Sequence, residues 1–152
     1  MKKSSLILAA FAVVFVLAAP PARAQSGAKQ GPDVVRDPDM EKDSLHNLEV
    51  ARQYFKLRKA YKASLARSEE IIAGNPTFSK IDEVLFIAGE SSLRLSENKG
   101  KQSVKTTTDK LKEDARDYLS QLVNEYPDSK FRNEALEDLK ALGGPKPKDS
   151  KQ

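Results

Sequence analysis

The sequence predicts an all-α domain of about five helices packed as antiparallel pairs, and three observations predict it. A helix-ending phrase occurs twice, as Leu65 to Pro76 (LARSEEIIAGNP) and as Arg116 to Ser129 (RDYLSQLVNEYPDS). In each copy a small residue, Ser64 or Ala115, stands twelve positions before the proline, with apolar residues at helical spacing between. No segment alternates apolar and polar residues as a half-buried strand does. A small residue lets two helices approach, an apolar stripe buries one face, and a proline stops the chain. Units of that kind stack into one continuous core and build docking surfaces for other proteins.

The first helix begins between Asp37 and Ser44. Leu45, Leu48, Ala51 and Phe55 recur at three- and four-residue steps, flanked by Val50, Tyr54 and Leu57. A break is expected near Arg58 and Lys59, although neither is a turn former. The second stripe is Tyr61, Leu65, Ser68, Ile71 and Ile72. Gly74 is expected to take the left-handed conformation that ends a helix, and Asn75-Pro76 forbids its continuation. Ser79 reads as the N-cap of the third helix, with Asp82 placing negative charge at the positive end of the helix dipole. That helix carries Ile81, Val84, Leu85, Ala88, Ser92 and Leu95 on its buried face.

Residues 96–108 (SENKGKQSVKTTT) have no periodicity and read as a long loop, at the upper end of lengths for a compact domain. A fourth helix follows, with Leu111, Ala115, Tyr118, Leu119, Leu122 and Val123 inward. Asp128 or Ser129 is expected to cap a fifth, which turns Phe131, Ala135, Leu136, Leu139 and Leu142 to the core. Gly143-Gly144-Pro145 closes it.

Residues 1–24 read as a signal peptide. Lys2 and Lys3 precede an unbroken apolar run of 14 residues, Leu6 to Ala19, and Ala22-Arg23-Ala24 offers a cleavage site before Gln25. The run is short of the roughly 20 residues that span a bilayer. The chain is therefore expected to be exported, to the periplasm as the first reading and to the medium as the alternative, with no direct membrane anchor after cleavage. Residues 25–40 are expected to be a disordered lead-in, 41–143 the helical domain with the loop insertion at 96–108, and 144–152 a disordered tail. The sequence contains no cysteine, so neither a disulfide nor a thiol-linked lipid is expected. The formal charge of +4 falls to +1 once Lys2, Lys3 and Arg23 are removed, which gives no electrostatic case for nucleic acid.

No constellation of residues suggests chemistry. His46 is the only histidine, and no set of ligands has the spacing of a metal site. The pairs Glu69-Glu70 and Glu113-Asp114 are helix neighbours that point in different directions. No glycine-flanked serine or phosphate-cradling loop occurs. No catalytic residue, cofactor or metal is expected. Lys99, Lys101, Lys105, Lys110 and Lys112 form the one local charge excess, either as a solvated linker or as a contact for an acidic partner or anionic headgroups.

The spacing of these residues resembles the tetratricopeptide repeat. Leu48, Ala51 and Phe55 match its large, small and aromatic positions on the first helix of a pair, and Tyr61 and Ser64 match the second. Leu85, Ala88 and Gly89, then Ala115, Leu119, Leu122 and Pro127, form the other copy. Pro76 and Pro127 lie 51 residues apart, against a repeat of about 34, so the 96–108 loop is an insertion within the second pair. Two positions depart from the pattern: Arg52 stands where glycine is preferred and Ser68 where a large aromatic is. Within that class, ARQYFKLRKAYKASLARSEEIIAGNP and DARDYLSQLVNEYPDSKFRNEAL are similar to the BamD-like outer-membrane assembly lipoproteins, over about Leu45 to Leu142. The resemblance implies a short right-handed solenoid and a non-enzymatic adaptor with protein partners among envelope-assembly components. This chain has about half the usual number of repeats and lacks the lipidated cysteine.

In such a stack the first helix of each pair lines the concave face. That register places His46, Glu49, Gln53 and Lys56 in a protein-binding groove, joined by Glu83, Phe86 and Glu90 from the second pair. Phe86 is either an aromatic anchor for a partner or an ordinary core residue. The alternative function is a structural envelope protein that self-associates and packs against peptidoglycan-associated partners, as a homo-oligomer formed through an exposed repeat face.

Overall fold

The computed structural model describes residues 36–148. The expected signal peptide, the lead-in as far as residue 35, and residues 149–152 lie outside the described residues. Five α-helices follow one another: α1 Pro38–Arg52, α2 Tyr61–Gly74, α3 Ile81–Ser96, α4 Thr108–Glu125 and α5 Arg132–Ala141. No strand occurs among the described residues. Each helix packs chiefly on its neighbours in sequence, α1 on α2, α2 on α3, α3 on α4 and α4 on α5. These are the stacked, tetratricopeptide-like antiparallel pairs that the apolar stripes imply.

The helix begins three residues before the expected domain start. Asp37 caps α1, its Oδ1 accepting from the N–H groups of Asp39 at 2.8 Å and Met40 at 3.3 Å. Pro38 supplies a fixed φ where no intrahelical N–H is needed. After Arg52 the helix widens into a π-helical turn, Gln53–Arg58, which Lys59 ends at φ 50°. The break at Arg58-Lys59 thus forms in the absence of glycine, through a lysine in the left-handed region.

The two proline turns superpose bond for bond. The Asn75 N–H reaches Ile71 O at 2.8 Å, and the Tyr126 N–H reaches Leu122 O at 2.9 Å. The Phe78 and Ser129 N–H groups bond to Asn75 O and Tyr126 O at 3.1 and 3.0 Å, and those of Ile81 and Arg132 bond to Phe78 O and Ser129 O, both at 3.1 Å. The repeated phrase therefore encodes one backbone conformation twice. Gly74 does not supply it: Gly74 stays helical, and it is Asn75, pushed to φ −143° by the following proline, that leaves the helix. Ser79 does not cap α3. Lys80 occupies the cap position, and the Ser79 N–H is held instead by the Glu41 carboxylate at 3.3 Å. Likewise Phe131 occupies the cap position of α5, while Ser129 Oγ accepts from the Phe131 N–H at 3.3 Å and donates to Asp82 Oδ2 at 2.7 Å.

The small residues act as the spacing implies. Ser64 is fully buried and donates to Ala51 O at 3.0 Å, and Ser68, also fully buried, donates to Ser64 O at 3.1 Å. At Gly89 an added Cβ would lie 2.6 Å from Leu119 Cγ, which shows how closely α3 and α4 approach. The core gathers Leu48, Ala51, Ile71, Phe78, Leu85, Leu119, Leu122 and Leu139 around α3.

Two segments are more firmly held than their composition suggests. Between α3 and α4 the loop spans 97–107, and Gln102 Oε1 accepts from the Ala63 N–H at 3.2 Å. That bond serves the start of α2, whose own cap residue, Ala60, has no polar side chain to offer. Thr107 Oγ1 caps α4 by accepting from Lys110 N at 3.3 Å. Residues 144–148, expected to be a disordered tail, instead lie along α4. Arg116 Nε donates to Gly144 O at 2.7 Å, the Lys146 N–H to Ser120 Oγ at 2.8 Å, and Asn124 Nδ2 to Lys146 O at 2.9 Å. The Lys146 ammonium also pairs with Asp117.

Candidate protein-interaction face

The first helices of successive pairs, α1, α3 and α5, meet edge to edge through side chains. Arg52 Nε and Nη2 donate to Glu83 Oε1 and Oε2, both at 2.7 Å, a two-pronged pair from the end of α1 to the start of α3. Arg52 Nη1 also reaches Glu49 Oε2 at 3.2 Å. Burial pushes the Glu83 carboxyl upward, but the Arg52 hydrogen bonds and charge, with help from Lys130 and Lys56, hold it below the usual carboxylate range. Arg52 is in turn held above the usual arginine value, chiefly by its hydrogen bond to Glu83. The arginine at the glycine position is thus accommodated by a matching acid on α3.

From α3 to α5 and the turn before it the connections are Asp82 to Ser129, a stack of Phe86 on Phe131 with centroids 4.8 Å apart, and a contact between Glu90 and Asp138. Lys130 Nζ lies 4.7 Å from the Phe131 ring centroid. Between these bridges a cleft of about 360 Å³ opens, lined by Arg52, Lys80, Glu83, Asp128, Lys130 and Phe131 among others.

Four of the seven expected groove residues are exposed and share one side of α1 and the π turn: His46, Glu49, Gln53 and Lys56. Lys56 stays close enough to Glu83 to stabilise its charge. The other three are corrected. Glu83, Phe86 and Glu90 are 8%, 7% and 2% exposed; only Glu83 reaches a cleft, the one beside Arg52, where the guanidinium already engages its carboxylate. The physical reason is the position of α3, flanked by α2 and α4 and overlaid by Arg52 and the side chains of α5. Of the two readings of Phe86, the buried one describes its place in this fold.

Glu90 and Asp138 were not paired by any sequence signal. Glu90 Oε2 accepts from Arg94 Nη2 at 2.8 Å, while Glu90 Oε1 and Asp138 Oδ2 are buried without a partner. Burial, the hydrogen bond to Glu90 and the Glu90 charge push the Asp138 carboxyl up to about 7, against the pull of Arg94. A protonated Asp138 is a donor beside the buried Glu90 carboxylate.

No group of three or more His, Cys, Asp or Glu side chains that could hold a metal occurs among the described residues. No helix among them is long and apolar enough to cross a membrane.

The bounds of this fold coincide with those of a known family. The profile of YfiO, described as an outer membrane lipoprotein, matches residues 36–143, from the residue before the Asp37 cap to the glycine after α5. The chain belongs to the YfiO family. The family's description is of a lipoprotein, whereas these 152 residues contain no cysteine. No curated protein and no solved structure matches this YfiO-family chain.

Proposed function

We propose that this YfiO-family chain is a non-enzymatic exported adaptor, working in the periplasm, that docks a protein partner of outer-membrane assembly on its α1 face. The observation that carries the reading is the row His46, Glu49, Gln53 and Lys56, exposed along one side of α1 and the π turn. The Arg52–Glu83 pair anchors that row against α3, so the donors and acceptors are held in place before a partner arrives. Affinity capture from envelope extracts, read by mass spectrometry, tests it. Wild-type protein should recover outer-membrane assembly components, and a His46→Ala/Gln53→Ala variant, at two exposed positions outside the Arg52–Glu83 network, should lose them while keeping its melting temperature. Equal recovery by the variant would remove the α1 face from the account.

A second reading, a structural protein that self-associates and packs against peptidoglycan-associated partners, draws on a different observation. Met40, Leu45 and Leu57 are exposed at 44%, 40% and 80%, all in the first pair, at one end of the stack. An uncovered repeat end is a natural self-association surface. Sedimentation of wild-type and Leu57→Ser protein separates the two. A dimer lost on that substitution would favour the second reading.

A further inference from the structure

Away from the α1 face, α2, the 97–107 loop and the start of α4 enclose a cleft of about 360 Å³. Its floor is apolar, formed by Leu65, Leu95, Val104 and Leu111. Four charged side chains rim it: Lys62, Lys105, Glu69 and Asp114. The two carboxylates are already engaged. Asp114 pairs with Lys110 at 2.7 Å, and Glu69 accepts from the Tyr118 hydroxyl at 3.1 Å. Lys62 and Lys105 make no ion pair among the described residues, and both are exposed. With Asp114 balanced by Lys110, Lys62 and Lys105 outweigh the Glu69 carboxylate, and the rim is net positive.

The wall that supplies Lys105 and Val104 is the insertion that stretches the repeat. It is fixed to α2 by the Gln102 bond to Ala63 and by the close approach of Gly100, where a Cβ would lie 2.8 Å from Lys59 O. The loop backbone is therefore held against the start of α2 before a ligand arrives, and a ligand has chiefly the Lys62 and Lys105 side chains to order. We propose that it docks a short acidic segment of a partner protein. An apolar side chain of that segment seats on the Leu95 and Leu111 floor, and its carboxylates meet Lys62 and Lys105. A uniformly anionic membrane surface fits less well, because Glu69 and Asp114 on the same rim would face it. A peptide can turn its acids toward the lysines alone. This surface is distinct from the α1 face, so its failure leaves the proposed function standing.

The test uses the purified chain and three fluorescein-labelled helical peptides of about twelve residues. All carry the same leucine stripe, flanked by glutamate, glutamine or lysine. By fluorescence anisotropy at low salt the glutamate peptide should bind at least about tenfold more tightly than the glutamine one, and the lysine peptide not at all. The preference should shrink as salt is raised. It should vanish in Lys62→Glu/Lys105→Glu, whose exposed substitutions leave the melting temperature in place. Amide shifts on titration should centre on Leu65, Val104 and Leu111. Equal affinity for the three peptides, or a preference that survives the double reversal, would overturn the proposal. Lysine-dependent binding to phosphatidylglycerol vesicles without peptide binding would assign the cleft to a membrane instead.

Discussion

The guanidinium of Arg52 grips the carboxylate of Glu83 through two parallel 2.7 Å hydrogen bonds, and so ties the end of α1 to the first turn of α3. Glu83 is nearly buried, so removing its partner strands a charge. Arg52→Ala should cost about 2 kcal/mol in urea denaturation, below the full range for a buried pair because Arg52 keeps some exposure. Arg52→Lys, which lacks the planar fork, should recover only part of that loss. Glu83 is held below its ordinary value, so its contribution is present above the unfolded carboxylate range and lost as pH falls through the folded value.

Gly89 and Gly74 should respond in opposite directions to the same substitution. A Cβ at Gly89 would press into Leu119 at 2.6 Å, whereas one at Gly74 meets nothing within 4 Å. Gly89→Ala should destabilise by about 1–3 kcal/mol, and by less when introduced into a Leu119→Ala background, where the clash is absent. Gly74→Ala, at a helical position, should stabilise by roughly 0.5–1 kcal/mol. Thermal melts of these variants check this.

Asp138 makes stability depend on pH in the sense opposite to Glu83. Its carboxyl is raised to about 7 beside Glu90, with Arg94 and Glu134 as the other charged neighbours. Between roughly pH 4 and 7 the folded state binds the extra proton, so this contribution falls as pH rises through that window and is gone above it. Asp138→Asn places a permanent donor toward Glu90. It should raise the melting temperature at pH 8 by about 4 °C or more and change it little at pH 4. A variant that shifts both equally would show that Asp138 does not hold a proton beside Glu90 in the folded state.

Gln102 caps a helix that lies 39 residues before it in the chain. Gln102→Ala should cost about 1 kcal/mol, as loss of a helix cap does. It should also speed hydrogen exchange at Ala63. Unchanged exchange there would mean that the loop does not hold the start of α2.

The repeated turns were legible because a proline acts locally: Asn75 and Tyr126 leave the helix whatever surrounds them. The apolar stripes of the helices were legible too, that of α3 at every position, apart from Leu45 on α1, which faces water while its neighbour Ser44 is buried. The full burial of α3 was not, because periodicity reports one buried face and cannot show that neighbours cover the other. Glu83, Phe86 and Glu90 were therefore read as facing a groove that Arg52, Phe131 and Asp138 close. The caps were misread for a related reason. Ser79 and Ser129 carry the right chemistry, but the turn hydrogen bonds place Lys80 and Phe131 at the helix starts. The cap from Gln102 and the strap at 144–148 depend on tertiary proximity, of which local composition holds no trace. Arg52 was the one visible signal of the α1–α3 pair, since a charge at a glycine position demands a partner.

The α1 face is tested most directly by photo-crosslinking in cells, with a benzophenone amino acid placed at Gln53 and, as a control, at exposed Gln121 on α4. The account predicts crosslinks from position 53 to an outer-membrane assembly protein and none to it from position 121. Crosslinks from position 53 only to a second copy of this chain, or the same products from both positions, would contradict it.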